Sequence, residues 1–136
     1  MKQVCFGVDI GGTTVKLGLV SREGELLDKR EFPTFRDLGA TFDDIADHMR
    51  QVMAAFPDCQ CVGAGVGVPG PIVDQSTVVH CANLGWENVN VAQELSSRAN
   101  LPVKVANDAN LAALGEQWQG AGKGCRNLVM LTVGTG

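Results

Sequence analysis

Several features that would assign a chain to a specialised class are missing from this sequence. No apolar run reaches the roughly 18 residues of a membrane-spanning helix, and the opening residues, MKQVCFGVDI, do not resemble a secretory signal. The 11 Lys and Arg form no basic cluster and are outnumbered by 15 Asp and Glu, for a net charge of −4, which argues against nucleic acid. Its five Cys are an odd number and mostly scattered, so no disulfide framework is expected. We therefore predict a cytoplasmic protein that binds neither nucleic acid nor a membrane.

Glycine is the residue in excess. The chain has 17 Gly in 136 residues, against an average usage of about 7%. Eleven of them fall into four groups, most of which interrupt or end apolar strands: Gly11 and Gly12; Gly63, Gly65, Gly67 and Gly70; Gly120, Gly122 and Gly124; and Gly134 with Gly136. Glycine in that setting indicates tight turns or a close approach of the backbone to another group.

Three strands are predicted at the start of the chain. Apolar residues alternate over residues 3–10 and again over 14–20, so these segments form a hairpin around the turn at Gly11-Gly12-Thr13. Residues 25–33 can return as a third strand, which is more polar and therefore nearer an edge.

Helices and strands then alternate. Thr41 with Asp44 resembles the N-terminal cap of a helix whose apolar stripe runs to Phe56. The uncharged segment 61–68 predicts a strand buried on both faces. The remaining predicted elements are a helix at 91–99, a strand at 103–106, a helix opening at Asn107-Asp108 and a strand at 127–133. The fold class is α/β with a mixed sheet, in which three antiparallel strands precede alternating helices and strands.

The first candidate site is the turn after the first strand, formed by Asp9, Gly11, Gly12, Thr13 and Thr14. Successive backbone N–H groups in a Gly-rich turn suit phosphate oxygens, and Thr hydroxyls add donors. Asp9 at the strand end would lie near a phosphate-bound metal. The alternative is an ordinary hairpin turn that uses Gly for positive φ.

The second candidate site is Asn107-Asp108, which follows a strand and opens a helix. Ligands of open α/β sheets bind at that position, and a carboxylate there could accept a proton from a sugar hydroxyl during phosphate transfer. The alternative is a helix cap. A third candidate is Asn83 with Gly70 before it, because an Asn amide matches sugar hydroxyls. Trp86 either stacks on a ligand or packs in the core.

Two histidines and a close cysteine pair receive no functional role. His80 lies beside Val78 and Val79, which predicts a structural side chain, and His48 falls on the polar face of its helix, which predicts a solvated one. Cys59 and Cys61 are too isolated for a zinc site, which needs four ligands.

Six phrases of the chain resemble, in their order and spacing, the sugar kinases of the ROK family (repressors, open reading frames and kinases), and in particular its bacterial glucokinases. The phrases are DIGGTTVKLGLV, GVGVPGPIV, ANLGW, VANDANLAALGE, GAGKG and LTVGTG. The resemblance is weakest over residues 21–60. It implies an actin-like ATPase fold of two ribonuclease-H-like domains, with ATP and sugar in the cleft between them.

The resemblance also implies roles for single residues. Asp9 to Thr14 would be a first phosphate loop with Mg²⁺ near Asp9, and Asp108 would be the catalytic base. Gly70, Asn83 and Asn107 would be sugar contacts. The second phosphate loop would begin with Thr132, Gly134, Thr135 and Gly136.

The position of the last strand predicts that the chain is part of a larger protein. Residues 1–125 would form a small N-terminal α/β domain, and residues 126–136 would begin a second domain, because LTVGTG at its end echoes VDIGG at the end of the first strand. The family's zinc ligands would lie beyond Gly136, and the fragment alone would be inactive.

The expected activity of the whole protein is ATP-dependent phosphorylation of glucose, by a cytoplasmic homo-oligomer. The alternatives are a kinase for another hexose or an N-acetylhexosamine and, from another class, a sugar-responsive repressor. A repressor would carry a DNA-binding segment ahead of the first strand, which starts here within three residues of Met1.

Overall fold

A computed structural model describes residues 1–108 of the chain. The strands are β1 (Lys2–Ile10), β2 (Thr14–Ser21), β3 (Leu26–Pro33), β4 (Cys59–Val68), β5 (Ile72–Val73), β6 (Thr77–Cys81), β7 (Trp86–Asn90) and β8 (Val103–Asn107). The helices are α1 (Leu38–Ala54) and α2 (Val91–Ala99). Outside the described residues lie most of the helix predicted from Asn107-Asp108, the strand at 127–133, the boundary after residue 125, and Thr132, Gly134, Thr135 and Gly136.

The main sheet is mixed, as the sequence predicts. Its strand order is β3-β2-β1-β4-β8. The pairs β1–β2 and β2–β3 are antiparallel, whereas β1–β4 and β4–β8 are parallel. The polar third strand lies at an edge of the sheet, which confirms its predicted position.

The core lies between one face of this sheet and the two helices. Alternate residues of β1 and β2 are buried because a strand presents every second side chain to the same face. They meet the apolar stripe of α1 and Leu95 of α2 in one cluster. The helices also contact each other, since Arg98 Nε of α2 donates to Asp43 Oδ1 of α1 at 2.7 Å. None of the helices within residues 1–108 is long and apolar enough to cross a membrane.

The start of α1 was predicted wrongly. Its N-cap is Asp37, whose Oδ2 accepts a hydrogen bond from the Ala40 N–H at 2.8 Å. Thr41 lies in the first turn, and its hydroxyl donates to the carbonyls of Phe35 and Asp37. The helix therefore starts earlier than its apolar stripe, because the first turn is held by capping bonds as well as by burial.

The expected burial of β4 on both faces is complete on one face and incomplete on the other within the described part of the chain. The helices cover one face, where Val66 and Val68 are fully buried. On the opposite face Gly67 is buried, but a β-carbon on Gly65 would have no atom within 4 Å among the described residues. Val62, at the irregularity in the β1–β4 pairing, is 41% exposed.

A second, three-stranded sheet, in the order β5-β6-β7, was not predicted from the sequence. Its strands are short, and β5 has only two residues. Asp74 and Gln75, with φ of 55° and 52°, form the turn between β5 and β6. Such short segments with polar interruptions give no clear period-two pattern, so periodicity could not reveal them.

The two histidines differ from expectation. His48 is half-buried and its ring stacks on Phe32, with centroids 3.9 Å apart. The His80 side chain is exposed, with Nδ1 3.6 Å from Glu87 Oε1. His80 is exposed although strand alternation places it on the same face of β6 as the buried Val78.

Candidate functional site

The carboxyl ends of three parallel strands meet at one edge of the main sheet. Asp9 near the end of β1 pairs with Gly67 of β4, and Val68 of β4 pairs with Asn107 of β8. The segments that follow these strands therefore leave the sheet side by side, at the position where open α/β sheets bind ligands. The strand order thus brings the first candidate turn, Gly70 and the Asn107-Asp108 pair to one place.

The turn between β1 and β2 is short and exposed at its tip. The Gly11 N–H donates to the Thr14 carbonyl at 2.9 Å and closes the turn. Gly12 and Thr13 are solvent-exposed. Neither Gly11 nor Gly12 has a positive φ, so the explanation of these glycines as an ordinary left-handed turn does not hold.

Gly12 lies against the turn between β6 and β7. A β-carbon on Gly12 would lie 3.1 Å from the main-chain oxygen of Asn83 and 3.2 Å from its Cβ. Glycine at this position therefore permits a close approach of two turns, which is one of the two uses expected of the glycine groups. The contact places exposed Asn83 directly beside the candidate phosphate turn.

Gly70 and Asn107 are joined by a hydrogen bond. The Asn107 Nδ2 donates to the Gly70 carbonyl at 2.8 Å. This bond orients the side-chain amide of Asn107 with its NH₂ group towards Gly70. Gly70 has a φ of +129°, and a β-carbon there would overlap the carbonyl oxygen of His80. Only glycine fits this position, which gives Gly70 a structural role in orienting Asn107.

Asp9 and Asp108 are close enough to interact electrostatically. Partial burial raises the pKa of Asp9, the negative charge of Asp108 raises it further, and the Lys16 ammonium opposes the shift. Lys16 is the residue paired with Asp9 across the hairpin. The two carboxylates come from different strands, β1 and the end of β8, so only the folded sheet brings their charges together.

The carboxylates suit a divalent cation bound together with phosphates. Mg²⁺ usually takes only one or two carboxylates from the protein and completes its octahedron with water and phosphate oxygens. Within residues 1–108 no group of three or more His, Cys, Asp or Glu is placed to hold a metal by itself. A cation at Asp9 would also offset the repulsion from Asp108, which adds to the effect of burial on the pKa of Asp9.

An open cavity of about 740 Å³ borders this edge of the sheet. It is lined by Gly70, Pro71, Ile72, Asp74, Gln75, Val105, Ala106 and Asn107. Its size falls in the range of small-molecule sites, roughly 300–1,000 Å³. Gly70 and Asn107 are thus accessible from a space that can admit a sugar, whereas Asn83 is not among the residues that line it.

The structure decides between the two alternatives for Trp86 and reveals contacts of Thr34 that the sequence did not indicate. Trp86 is 5% exposed and stacks on Phe42 with ring centroids 5.4 Å apart, so it belongs to the core. Thr34 was not singled out from the sequence, yet it makes two hydrogen bonds to the β1–β2 turn. Nothing in its neighbourhood, FPTFRD, marks it as part of a motif.

A mixed sheet of this order, with a Gly-rich turn after its first strand and a carboxylate after a later parallel strand, defines an α/β domain of the ribonuclease-H-like, actin-like ATPase type. The chain belongs to the ROK family, whose sequence model matches residues 5–136.

Relatives and a solved structure agree with this assignment. The chain is 40% identical over 135 residues to a glucokinase of Halalkalibacterium halodurans, covering 96% of this chain and 41% of that protein. It is 36% identical over 138 residues to a beta-glucoside kinase of Klebsiella pneumoniae, covering 100% of this chain and 44% of that protein. The crystal structure of a ROK family glucokinase from Streptomyces griseus in complex with glucose and AMPPNP matches this fold with a TM-score of 0.78 at 34% identity. The match covers 89% of this chain and 38% of that chain. The chain thus spans about two fifths of the length of these proteins.

Proposed function

We propose that residues 1–125 are the small N-terminal domain of a two-domain kinase that transfers the γ-phosphate of ATP to glucose and forms glucose 6-phosphate. The observation that carries this proposal is the convergence at one sheet edge of an exposed Gly-rich turn, two interacting carboxylates and an oriented Asn. Membership of the ROK family and the similarity to glucokinases support it. Residues 126–136 would begin the second domain.

In this proposal the sugar lies at the edge formed by Gly70, Asn83 and Asn107. Its 6-hydroxyl faces Asp108, which takes the hydroxyl proton as the oxygen bonds to the γ-phosphorus and the bond to the ADP oxygen breaks. The Asn107 amide, with its donor end turned to Gly70, offers its oxygen as an acceptor for a sugar hydroxyl. Such positioning supplies most of the catalysis in phosphoryl transfer.

The phosphates lie in this proposal at the β1–β2 turn, Asp9 to Thr14, and at the second loop that begins with Thr132, Gly134, Thr135 and Gly136. Asp9 would lie near a phosphate-bound Mg²⁺ and contact it indirectly, and the ion would neutralise phosphate charge. The zinc ligands known for the family would lie beyond Gly136. A kinase that consumes ATP works where ATP is abundant, which suits the cytoplasm, and we expect a homo-oligomer.

A kinase for a different sugar is the second candidate, because a beta-glucoside kinase is 36% identical to this chain. Both activities phosphorylate a hydroxyl and need the same base, so Asp108 does not distinguish them. The difference would lie in what surrounds the sugar ring.

The test is an assay of ADP release by the full-length protein that contains residues 1–136. Glucose, mannose, N-acetylglucosamine, N-acetylmannosamine and cellobiose are each supplied with Mg·ATP, and the product is identified by mass spectrometry. We expect the highest kcat/KM with glucose. Higher kcat/KM with another sugar would move the assignment to that sugar, and no turnover of any sugar would contradict a kinase. Residues 1–136 alone should give no turnover.

A further inference from the structure

Thr34 joins the end of β3 to the turn between β1 and β2. Its hydroxyl Oγ1 donates to the Gly11 carbonyl at 2.8 Å, and its backbone N–H donates to the Thr13 carbonyl at 3.0 Å. Pro33, the last residue of β3, has no N–H to donate, so Thr34 supplies the next bond to the turn. One half-buried residue therefore holds two carbonyl groups of the turn.

These two bonds also decide where the N–H groups of the turn point. The Gly11 carbonyl shares a peptide unit with the Gly12 N–H, and the Thr13 carbonyl shares one with the Thr14 N–H. In a planar trans peptide the C=O and N–H bonds point in opposite directions. Because both carbonyls are turned towards Thr34, the N–H groups of Gly12 and Thr14 are turned away from it.

We infer that Thr34 is a positioning residue for phosphate binding, which acts by orienting the Gly12 and Thr14 amides of the β1–β2 turn. The inference rests on the proposed function, in which this turn binds the phosphates of ATP. The Thr34 hydroxyl itself is used by the Gly11 carbonyl, so Thr34 need not touch the nucleotide. Its effect should therefore appear in nucleotide affinity and be small for the sugar.

The test compares Thr34→Val with Thr34→Ser in the full-length protein. Valine keeps the shape and loses the hydroxyl, whereas serine keeps the hydroxyl. We expect Thr34→Val to raise the KM for ATP and the Kd for Mg·ADP by about three- to tenfold, the effect of one lost orienting hydrogen bond. The KM for glucose should change less than twofold, and Thr34→Ser should restore nucleotide affinity to within twofold of the wild type.

Thr41→Val is the matched control. Thr41 is also a Thr whose hydroxyl donates to main-chain carbonyls, those of Phe35 and Asp37, at the start of α1. The Thr41→Val substitution should lower the melting temperature without changing the Kd for Mg·ADP. If Thr34→Val and Thr41→Val lower the melting temperature alike and neither changes that Kd, Thr34 is only structural. If the wild type does not bind Mg·ADP in calorimetry, the proposed function fails instead.

Discussion

Gly12 and Asn83 touch across the edge of the main sheet, since a β-carbon on Gly12 would lie 3.1 Å from the Asn83 carbonyl oxygen. Gly12 belongs to the turn proposed to bind phosphate, and Asn83 belongs to the turn proposed to bind sugar. The two proposed subsites are therefore in direct contact, with no intervening side chain. A substitution in either turn should therefore alter the position of the other turn.

Gly12→Ala should consequently weaken the binding of both ATP and glucose. An added methyl group at Gly12 would crowd the turn proposed to bind the phosphates of ATP, and it must also displace Asn83. Because misplacement by a fraction of an ångström suffices to reduce binding and rate, we expect KM for ATP and for glucose each to rise on the order of tenfold. Steady-state kinetics of the full-length protein measures both values.

The matched control for this substitution is Gly7→Ala in β1, where an added β-carbon meets no described atom within 4 Å. It should leave both KM values unchanged. A tenfold rise for ATP alone in Gly12→Ala would show that the contact with Asn83 does not couple the subsites.

Asp108→Asn should remove the proposed proton acceptor and keep the fold, because Asn caps a helix about as well as Asp. We expect kcat to fall by about 10²-fold or more, with little change in either KM. The same substitution at Asp37, the N-cap of α1, is the control and should leave kcat unchanged. A near-normal kcat for Asp108→Asn would reduce Asp108 to a helix cap.

The titration of Asp9 tests the electrostatics of the site. Its pKa should lie above the ordinary value of 3.8, because burial and the charge of Asp108 raise it. Asp108→Asn should lower the Asp9 pKa, and Lys16→Met should raise it, since the Lys16 charge opposes the shift. NMR titration of the Asp9 carboxyl carbon measures each midpoint. Shifts in the reverse directions would contradict the arrangement of these three groups.

The same shift predicts how stability depends on pH. A raised pKa means that the folded protein binds this proton more tightly than the unfolded chain. The wild type therefore loses stability relative to Asp9→Asn as the pH rises from 3.8 through the folded-state pKa of Asp9. Melting temperatures of both proteins across this window should diverge with rising pH and then run parallel. Curves that stay parallel throughout would contradict the raised pKa.

Gly70→Ala should destabilise the protein. Alanine at a φ of +129° is strained, and its methyl group would overlap the His80 carbonyl. We expect a loss of about 1–3 kcal/mol of unfolding free energy, measured by urea denaturation. Gly65→Ala in β4 is the control, because its β-carbon meets no described atom within 4 Å. Equal unfolding midpoints for the two variants would show that the backbone at Gly70 adapts.

Local patterns predicted the elements that depend on local physics. Alternating apolar residues located β1 and β2, and the helix predicted at 91–99 is α2, whose cap residue Asn90 accepts from the Gln93 N–H and whose C-terminal Asn100 has a left-handed φ of 56°. The helix cap at Asp37 was missed because a second capping pattern lay four residues further on. The strands β5, β6 and β7 were missed because such short segments have too few residues to show a period.

The sequence by itself determined the mixed α/β class, the succession of the main strands along the chain and the resemblance to the ROK family, because side-chain periodicity and ordered motifs are properties of neighbouring residues. Only the tertiary structure decided which turns touch. The approach of Gly12 to Asn83, the bonds from Thr34 to the β1–β2 turn and the action of Asp108 on the pKa of Asp9 all join residues from separate elements. Their proximity follows from the strand order β3-β2-β1-β4-β8 and its register, which bring distant segments to one edge of the sheet.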